Sequence, residues 1–481
     1  MSALGASIEA EVDLPGGPFT GVVSSLDGGT VYISLVKSRS PDVNSIAVVD
    51  IATATVTEEI LLGDQGAGNS SPRELYLSPD GRWIVHMAFT NDATVIDTTD
   101  NSILGTVPGV GKGQLVWESD SQVFWTRESG TDTANRVEVP SLTVTHSFPI
   151  ESPGGTSFQL HITPDDSAVV ALASNLSGSF GSGARIGHVF DTVTMAPAGV
   201  LDIASGPLQN TVSSSVLSTD GSILYSTSGN SSPVTAHDLS TFAELWSTSA
   251  GSGNLAMRSD GTELYLVTGG NLVRLDPATG ANLGNFSGLS GQQSNFSFGQ
   301  PLLAPGDCAM VLPTSSDIVV VDIEDESVER LPTGQGGFYA AFTPDGSKGL
   351  AVTRFGIDTG KLWIVDLSDE CGGAAPAPQL SVTGTCPGPI DIQISGLSPN
   401  GRWAISTADD AGSTVVPSGV CAGTETALGS NVTLRTWGFA DSAGNVDITR
   451  TVRRAGNCPI VTQAIDFDTC ATTNLFDFVS N

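Results

Sequence analysis

Lysine is nearly missing from this chain, at 4 of 481 residues against 15 Arg, 35 Asp and 16 Glu. The resulting formal net charge of −32 argues against nucleic acid or an anionic membrane as a partner, because either surface repels an excess of carboxylates. No apolar run approaches the ~18–20 residues that a membrane-spanning helix needs. Residues Met1–Ala6 show no basic segment leading into an apolar one, so no signal peptide is visible. Sustained helical periodicity is lacking throughout. What remains is 39% apolar with only 15% charged residues, a composition that buries a core and is not that of a disordered acidic chain. The length suits two to four domains, or one large repeat array with an appendage. Abundant Asp, Ser, Thr and Gly with few Lys fits a β-rich protein of salty or extracellular surroundings, although high genomic GC content biases composition the same way.

Repeats organise most of the length. Asp-centred turns recur at Ser25-Leu26-Asp27-Gly28, Ser78-Pro79-Asp80-Gly81, Glu118-Ser119-Asp120-Ser121 and Thr163-Pro164-Asp165-Asp166. They continue at Ser218-Thr219-Asp220-Gly221, Arg258-Ser259-Asp260-Gly261, Ala304-Pro305-Gly306-Asp307 and Thr343-Pro344-Asp345-Gly346, eight in all and 38 to 55 residues apart. Asp-Gly between apolar runs is a hairpin signal, since Gly accepts positive φ and Asp satisfies nearby N–H groups. Downstream of most turns a short apolar strand ends in Asp, at Asp50, Asp97, Asp191, Asp238, Asp276, Asp322 and Asp366. The third repeat departs, reading Val137-Glu138-Val139-Pro140. Four short strands per ~45 residues is the pattern of a propeller blade. Ser7–Leu14 match the outer-strand pattern of Thr55–Leu62 with no blade before them, whereas the last repeat lacks an outer strand. The expected fold is therefore all-β: an eight-bladed β-propeller over 7–370, with seven blades as the alternative, closed by that N-terminal strand.

These Ser-Pro-Asp-Gly turns, apolar-Asp strands and Thr-Val strands resemble the YVTN/surface-layer type of bacterial and archaeal β-propeller. The resemblance implies the fold and says little of function, because propellers host lyases, hydrolases, dehydrogenases and pure binding scaffolds alike.

After a linker at 371–379, residues 380–481 read as a small β-sandwich. The segment Asp441-Ser442-Ala443-Gly444-Asn445, between Leu434–Phe439 and Val446–Val452, reads as a hairpin and resembles the Asp-x-Ala-Gly-Asn loop of bacterial immunoglobulin-like modules. Five of six cysteines lie at or beyond the linker: Cys371, Cys386, Cys421, Cys458 and Cys470. Fifteen pairings are open; sequence proximity favours Cys458–Cys470 and Cys386–Cys421, leaving Cys308 for Cys371. Zinc is the rival, but Cys-x2-Cys spacing and tail histidines are lacking, so disulfides and an oxidising compartment are expected.

Chemistry is less legible. No Gly-x-Ser-x-Gly elbow, His-Glu-x-x-His site or P-loop occurs. Gly251-Ser252-Gly253-Asn254-Leu255-Ala256 fits the loose dinucleotide pattern but runs into a strand and not a helix. Of five histidines, His161 is the oddest, since other repeats carry aliphatic residues, Ala or Tyr at its position; a base or metal ligand is one reading and a satisfied core histidine the simpler one. Calcium at Asp441, Asn445 and Asp447, or at the turn aspartates, is explained more simply by turn formation. No cofactor or metal is expected. By family resemblance, ligands meet the face formed by the connections between blades and between second and third strands. Its loops hold nine basic residues: Lys37, Arg39, Arg73, Lys112, Arg127, Arg136, Arg185, Arg354 and Lys361. They suit a carboxylated or sulfated glycan or an acidic protein, unless they are simply solvated beside Asp42, Glu74, Glu128 and Asp132. The expectation is a secreted or cell-surface binding or structural protein that is not an enzyme. Alternatives are a polysaccharide lyase or glycoside hydrolase, and a subunit of an extracellular filament or surface layer built from copies of itself.

Overall fold

The computed structural model describes all residues except 1–4, 40–41, 65–73, 88–91, 111–113, 128–132, 151–157, 175–184, 205–211, 229–232, 252, 269–270, 288, 290–301, 315, 335–336, 355–358, 369–370, 372–377, 385–386, 398–401, 417–420, 422–423, 441–444, 453–460, 467–470 and 478–481. Every regular element among the described residues is a β-strand. The chain divides into two units, Met1–Cys371 and Gly372–Asn481.

The first unit consists of four-stranded antiparallel sheets of the kind that make propeller blades. Eight are described, spanning 17–64, 74–107, 116–149, 158–204, 212–248, 254–287, 302–332 and 337–366. The first seven each use four consecutive strands. The eighth has three, and its fourth is Ser7–Leu14, which pairs antiparallel with Gly360–Asp366 from Ser7↔Asp366 to Leu14↔Gly360. A separate apolar cluster fills each junction between successive sheets. Tyr32, Ile46, Ile84 and Ile96 join the first to the second, and Val311, Val320, Ala351 and Trp363 the seventh to the eighth. Ile33, Ala47, Leu350 and Val352 join the eighth back to the first, so the sheets close on themselves. First strands touch across these junctions. Gly17–Ser24 meets both Glu74–Leu77 and Gly337–Phe342, and Phe158–Ile162 meets both Val116–Trp117 and Val212–Leu217. These strands form the inner wall.

The Asp-centred turns hold this ring from one face. Asp27, Asp80, Asp165, Asp220 and Asp260 each accept the N–H two residues on, at 2.9–3.0 Å, and most also take a hydroxyl, as Asp80 does from Ser78 at 2.6 Å. The last turn residue has positive φ in every case and packs on the preceding sheet's turn. A Cβ placed on Gly28, Gly81, Gly221, Gly261 or Gly346 would come within 2.6–3.6 Å of Pro344, Leu26, Pro164, Thr219 or Pro305 respectively, which explains glycine there. Where glycine is replaced, the side chain bonds backward instead. Ser121 Oγ accepts Asp80 N at 2.9 Å, Asp166 Oδ2 accepts Ser119 N at 2.9 Å, and Asp307 Oδ2 accepts Ser259 N at 2.8 Å. All eight junctions are thus bridged, including the one between last turn and first.

Strand-ending aspartates have a separate task. Asp50 accepts Thr53 N at 2.7 Å and Asp238 accepts Thr241 N at 2.7 Å, capping the turn into the fourth strand. A disulfide joins Cys308, just after the seventh turn, to Cys371, with Cα atoms 4.9 Å apart.

In the second unit two sheets enclose one core. Gln379–Gly384, Gly388–Ser395 and Val446–Val452 form one sheet; Thr433–Phe439, Arg402–Ala408, Val461–Asp466 and Phe476–Asp477 form the other. Leu380, Ile392 and Val446 pack against Trp403, Ile405 and Ala464 between them. The hairpin expected at 441–445 is corrected here. Thr433–Phe439 pairs with Arg402–Ala408, while Val446–Val452 pairs with Gly388–Ser395 in the other sheet. The two strands thus belong to different sheets of the same core, and residues 441–444 between them lie outside the described residues.

Candidate functional site

The inner wall carries the unit's most unusual side chains. Counting back four residues from the start of each Asp-centred turn gives Glu74, Gln114, Gln159, Ser214 and Asn254 in the second to sixth sheets, a run of polar groups at one level of adjoining first strands. A first strand has no sheet partner on its inner side, and its N–H groups there need acceptors. The next sheet back supplies them. Gln114 Oε1 accepts Leu160 N at 3.3 Å, and Ser214 Oγ accepts Leu255 N at 2.9 Å. Between these, Ser215 Oγ donates to Gln159 Oε1 and lies 2.6 Å from His161 Nε2. Because the serine has one proton and gives it to Gln159, His161 must donate from Nε2. Burial pushes its pKa down to about 4 and so favours the neutral imidazole.

Glu74 is the exception in this girdle. It is 8% exposed, accepts the Tyr76 hydroxyl, and burial raises its pKa to about 8. At neutral pH it is a carboxylic acid and not a carboxylate, so the level as a whole is hydrogen-bonding but uncharged. Such a group is able to donate a proton or a hydrogen bond to a polar ligand. Nothing in the sequence around it singles Glu74 out; only the turn spacing, laid over the register, aligns it with the amides.

The nine basic residues fare differently. Arg136 lies within the strand Thr133–Glu138, not in a loop. Its guanidinium grips Glu118 with Nε and a terminal nitrogen at 2.8 and 2.9 Å, beside the Trp125 indole N–H at 2.9 Å from the same carboxylate. That ion pair is 15% and 12% exposed on its two sides, a structural brace. Lys361 belongs to the strand Gly360–Asp366 and pairs with Glu11 and Asp13 of the closing strand. Arg127 ends the strand Val123–Arg127 and is half-buried. Lys37, Arg39, Arg185 and Arg354 lie in strands whose side chains at these positions are outside the description, and Arg73 and Lys112 lie outside the described residues. Of the three placed side chains, Arg136 and Lys361 are paired with acids.

Among the described residues no group of three His, Cys, Asp or Glu is placed to hold a metal ion, and no helix is long and apolar enough to cross a membrane. Cys421 is buried and disulfide-bonded, while Cys386, Cys458 and Cys470 lie outside the described residues, as do residues 441–444. No protein-family profile and no curated protein match the chain. Among solved structures, Kuenenia stuttgartiensis hydrazine synthase is similar at 16% identity and a TM-score of 0.45, over 73% of this chain and 97% of that one.

Proposed function

We propose that the chain is a secreted or cell-surface binding protein: an eight-bladed β-propeller of the YVTN/surface-layer type, followed by an immunoglobulin-like β-sandwich. The observation that carries this reading is the ring of turns. Each of the eight touches the one before it, so one face is locked and the opposite face is free to present loops from a rigid frame. The Cys308–Cys371 disulfide supports an oxidising compartment. The partner on the loop face is an acidic protein or glycan, met by the basic residues that remain once Arg136 and Lys361 are assigned to the frame. Binding of the full chain to an array of carboxylated and sulfated glycans tests it. Replacing Arg73 and Lys112 with Glu should abolish the signal, whereas an unchanged signal would overturn the loop-face reading.

Glu74 favours a second reading, a glycan hydrolase or lyase in which this protonated acid, raised to about 8, serves as proton donor. New reducing ends or unsaturated sugars released by wild type but not by Glu74→Gln would establish it in place of simple binding.

A further inference from the structure

The strand Thr433–Phe439 has an outer surface left exposed among the described residues. Among the described strands it stands at the edge of its sheet, paired with Arg402–Ala408. Its register slips by one residue, Ile405 facing Thr436 but Ser406 facing Leu434, so Arg435 is the extra residue of a β-bulge. Simple alternation would set Leu434 and Trp437 on opposite faces; the bulge brings them together. Trp403 and Ile405 point into the core, and a Cβ on Gly438 would come 2.9 Å from Trp403. Leu434, Trp437 and Phe439, opposite Ser406, Ala404 and Arg402, therefore share the outer face. They are 59%, 64% and 65% exposed. Five of the other six tryptophans are buried and Trp246 is half-buried.

We propose that this strip binds a polysaccharide, its pyranose rings stacked on Trp437 and Phe439, with a preference for carboxylated sugars. Two residues apart on a strand, the aromatics stand roughly 6.8 Å from each other, so one chain is able to touch both. Each offers a flat, electron-rich face to the C–H face of a sugar ring. Three side chains supply only a few hundred Å² of apolar surface, short of the ~800 Å² per partner that a stable protein interface uses, whereas a few sugar rings need no more. Charge selects within the class. In a chain of net charge −32, Thr433–Phe439 holds no acid, and the exposed Arg402 stands opposite Phe439 on the same face, suited to a carboxylate. Arg435 is held aside, its Nε donating to Thr407 Oγ1 at 2.6 Å.

The inference shares its ligand class with the proposed function but lies in the other unit, so the variants separate the two. Affinity electrophoresis of the full chain through polygalacturonate and through dextran is the test. Wild type should be retarded more by polygalacturonate. Trp437→Ala with Phe439→Ala should weaken retardation about tenfold or more with unchanged near-UV circular dichroism, and Arg402→Gln should remove the preference for the acidic polymer. Bound polygalacturonate should also shield Trp437 from acrylamide quenching. Retardation indifferent to the double variant, or lost only on replacing Arg73 and Lys112, would overturn the proposal and leave the loop-face reading standing. No retardation by either polymer overturns it too, as does wild-type self-association that the double variant dissolves.

Discussion

A residue other than glycine held at positive φ ordinarily costs about 1 kcal/mol or more, yet Ser121, Asp166 and Asp307 sit at φ of 60°, 56° and 60° in three of the eight turns. Their compensation is the bond each side chain accepts from the turn before it, Asp166 from Ser119 for example. Asp166→Ala should lose the bond and keep the strain, lowering unfolding free energy by about 2 kcal/mol; Asp166→Gly loses the bond but relieves the strain, so it should cost only about half as much. Urea unfolding of both decides, and equal stability of all three proteins would remove the bond's role. At the inner wall the relevant cost is burial of charge. Glu74 titrates near 4.5 unfolded and at about 8 folded. The folded state therefore holds a proton the unfolded state has released, and stability falls as pH rises from about 4.5 to 8. His161, lowered to about 4, acts with the opposite sign and costs stability as pH falls from 6.5 toward 4. Glu74→Gln should gain on wild type across pH 5–8, by an amount of order 4 kcal/mol at the top. Parallel pH profiles for the two would show Glu74 ionised within the fold.

Elements close the ring in two ways near the same place. Ser7–Leu14 supplies hydrogen bonds to the eighth sheet, and Cys371, five residues beyond the end of that sheet at Asp366, is tied covalently to Cys308 of the seventh. The bridged loop spans 63 residues, for which constraint of the unfolded chain is worth roughly 4 kcal/mol. A Cys308→Ser, Cys371→Ser double variant should unfold at correspondingly lower denaturant, and so should wild type in reductant; a shift in reductant alone would place the effect at the tail cysteines instead. The repeat and the similarity of 7–14 to Thr55–Leu62 were legible because Asp-Gly turns and β-branched strands follow from local backbone chemistry. The girdle was not. Glu74, Gln114, Gln159, Ser214 and Asn254 share no residue type, and their common level exists only once strands are in register. Arg136 read as a loop cation because its partner Glu118 is 18 positions away, beyond any local pattern. Leu434–Phe439 was recognised as a strand, but its bulge, and with it the aromatic face, depends on pairing with a distant strand, as does its separation from Val446–Val452 into a different sheet.

For the whole molecule, the charge of −32 is not spread evenly in its effect. Six turn aspartates, Asp27, Asp80, Asp120, Asp165, Asp220 and Asp260, are exposed on one face of a closed ring. Hydrogen bonds from neighbouring hydroxyl and N–H groups hold Asp27, Asp165, Asp220 and Asp260 below the usual carboxylate range, Asp165 at about 2. Their charge thus persists well into acid, and the groups that shape the turns also repel one another around the ring. Opposing this are attractions that include Arg136 with Glu118, Arg82 with Asp97, Arg258 with Asp260, Arg274 with Glu263 and Glu326, Arg330 with Asp317, Lys348 with Glu9, and Lys361 with Glu11 and Asp13. Salt weakens both, since the screening length falls from ~10 Å at 0.1 M to ~3 Å at 1 M. Repulsion between exposed charges on different turns acts over longer distances than the partly buried pairs and is screened first. The unfolding midpoint should therefore climb with sodium chloride, by on the order of 5 °C, and level off toward 1 M. Substituting Asp120 and Asp220 with Asn, which keeps an acceptor for Gln122 N and Ser222 N, should flatten that climb. A midpoint that drops as salt is added would mean that the ion pairs outweigh the ring, and that the acidic face costs the fold little.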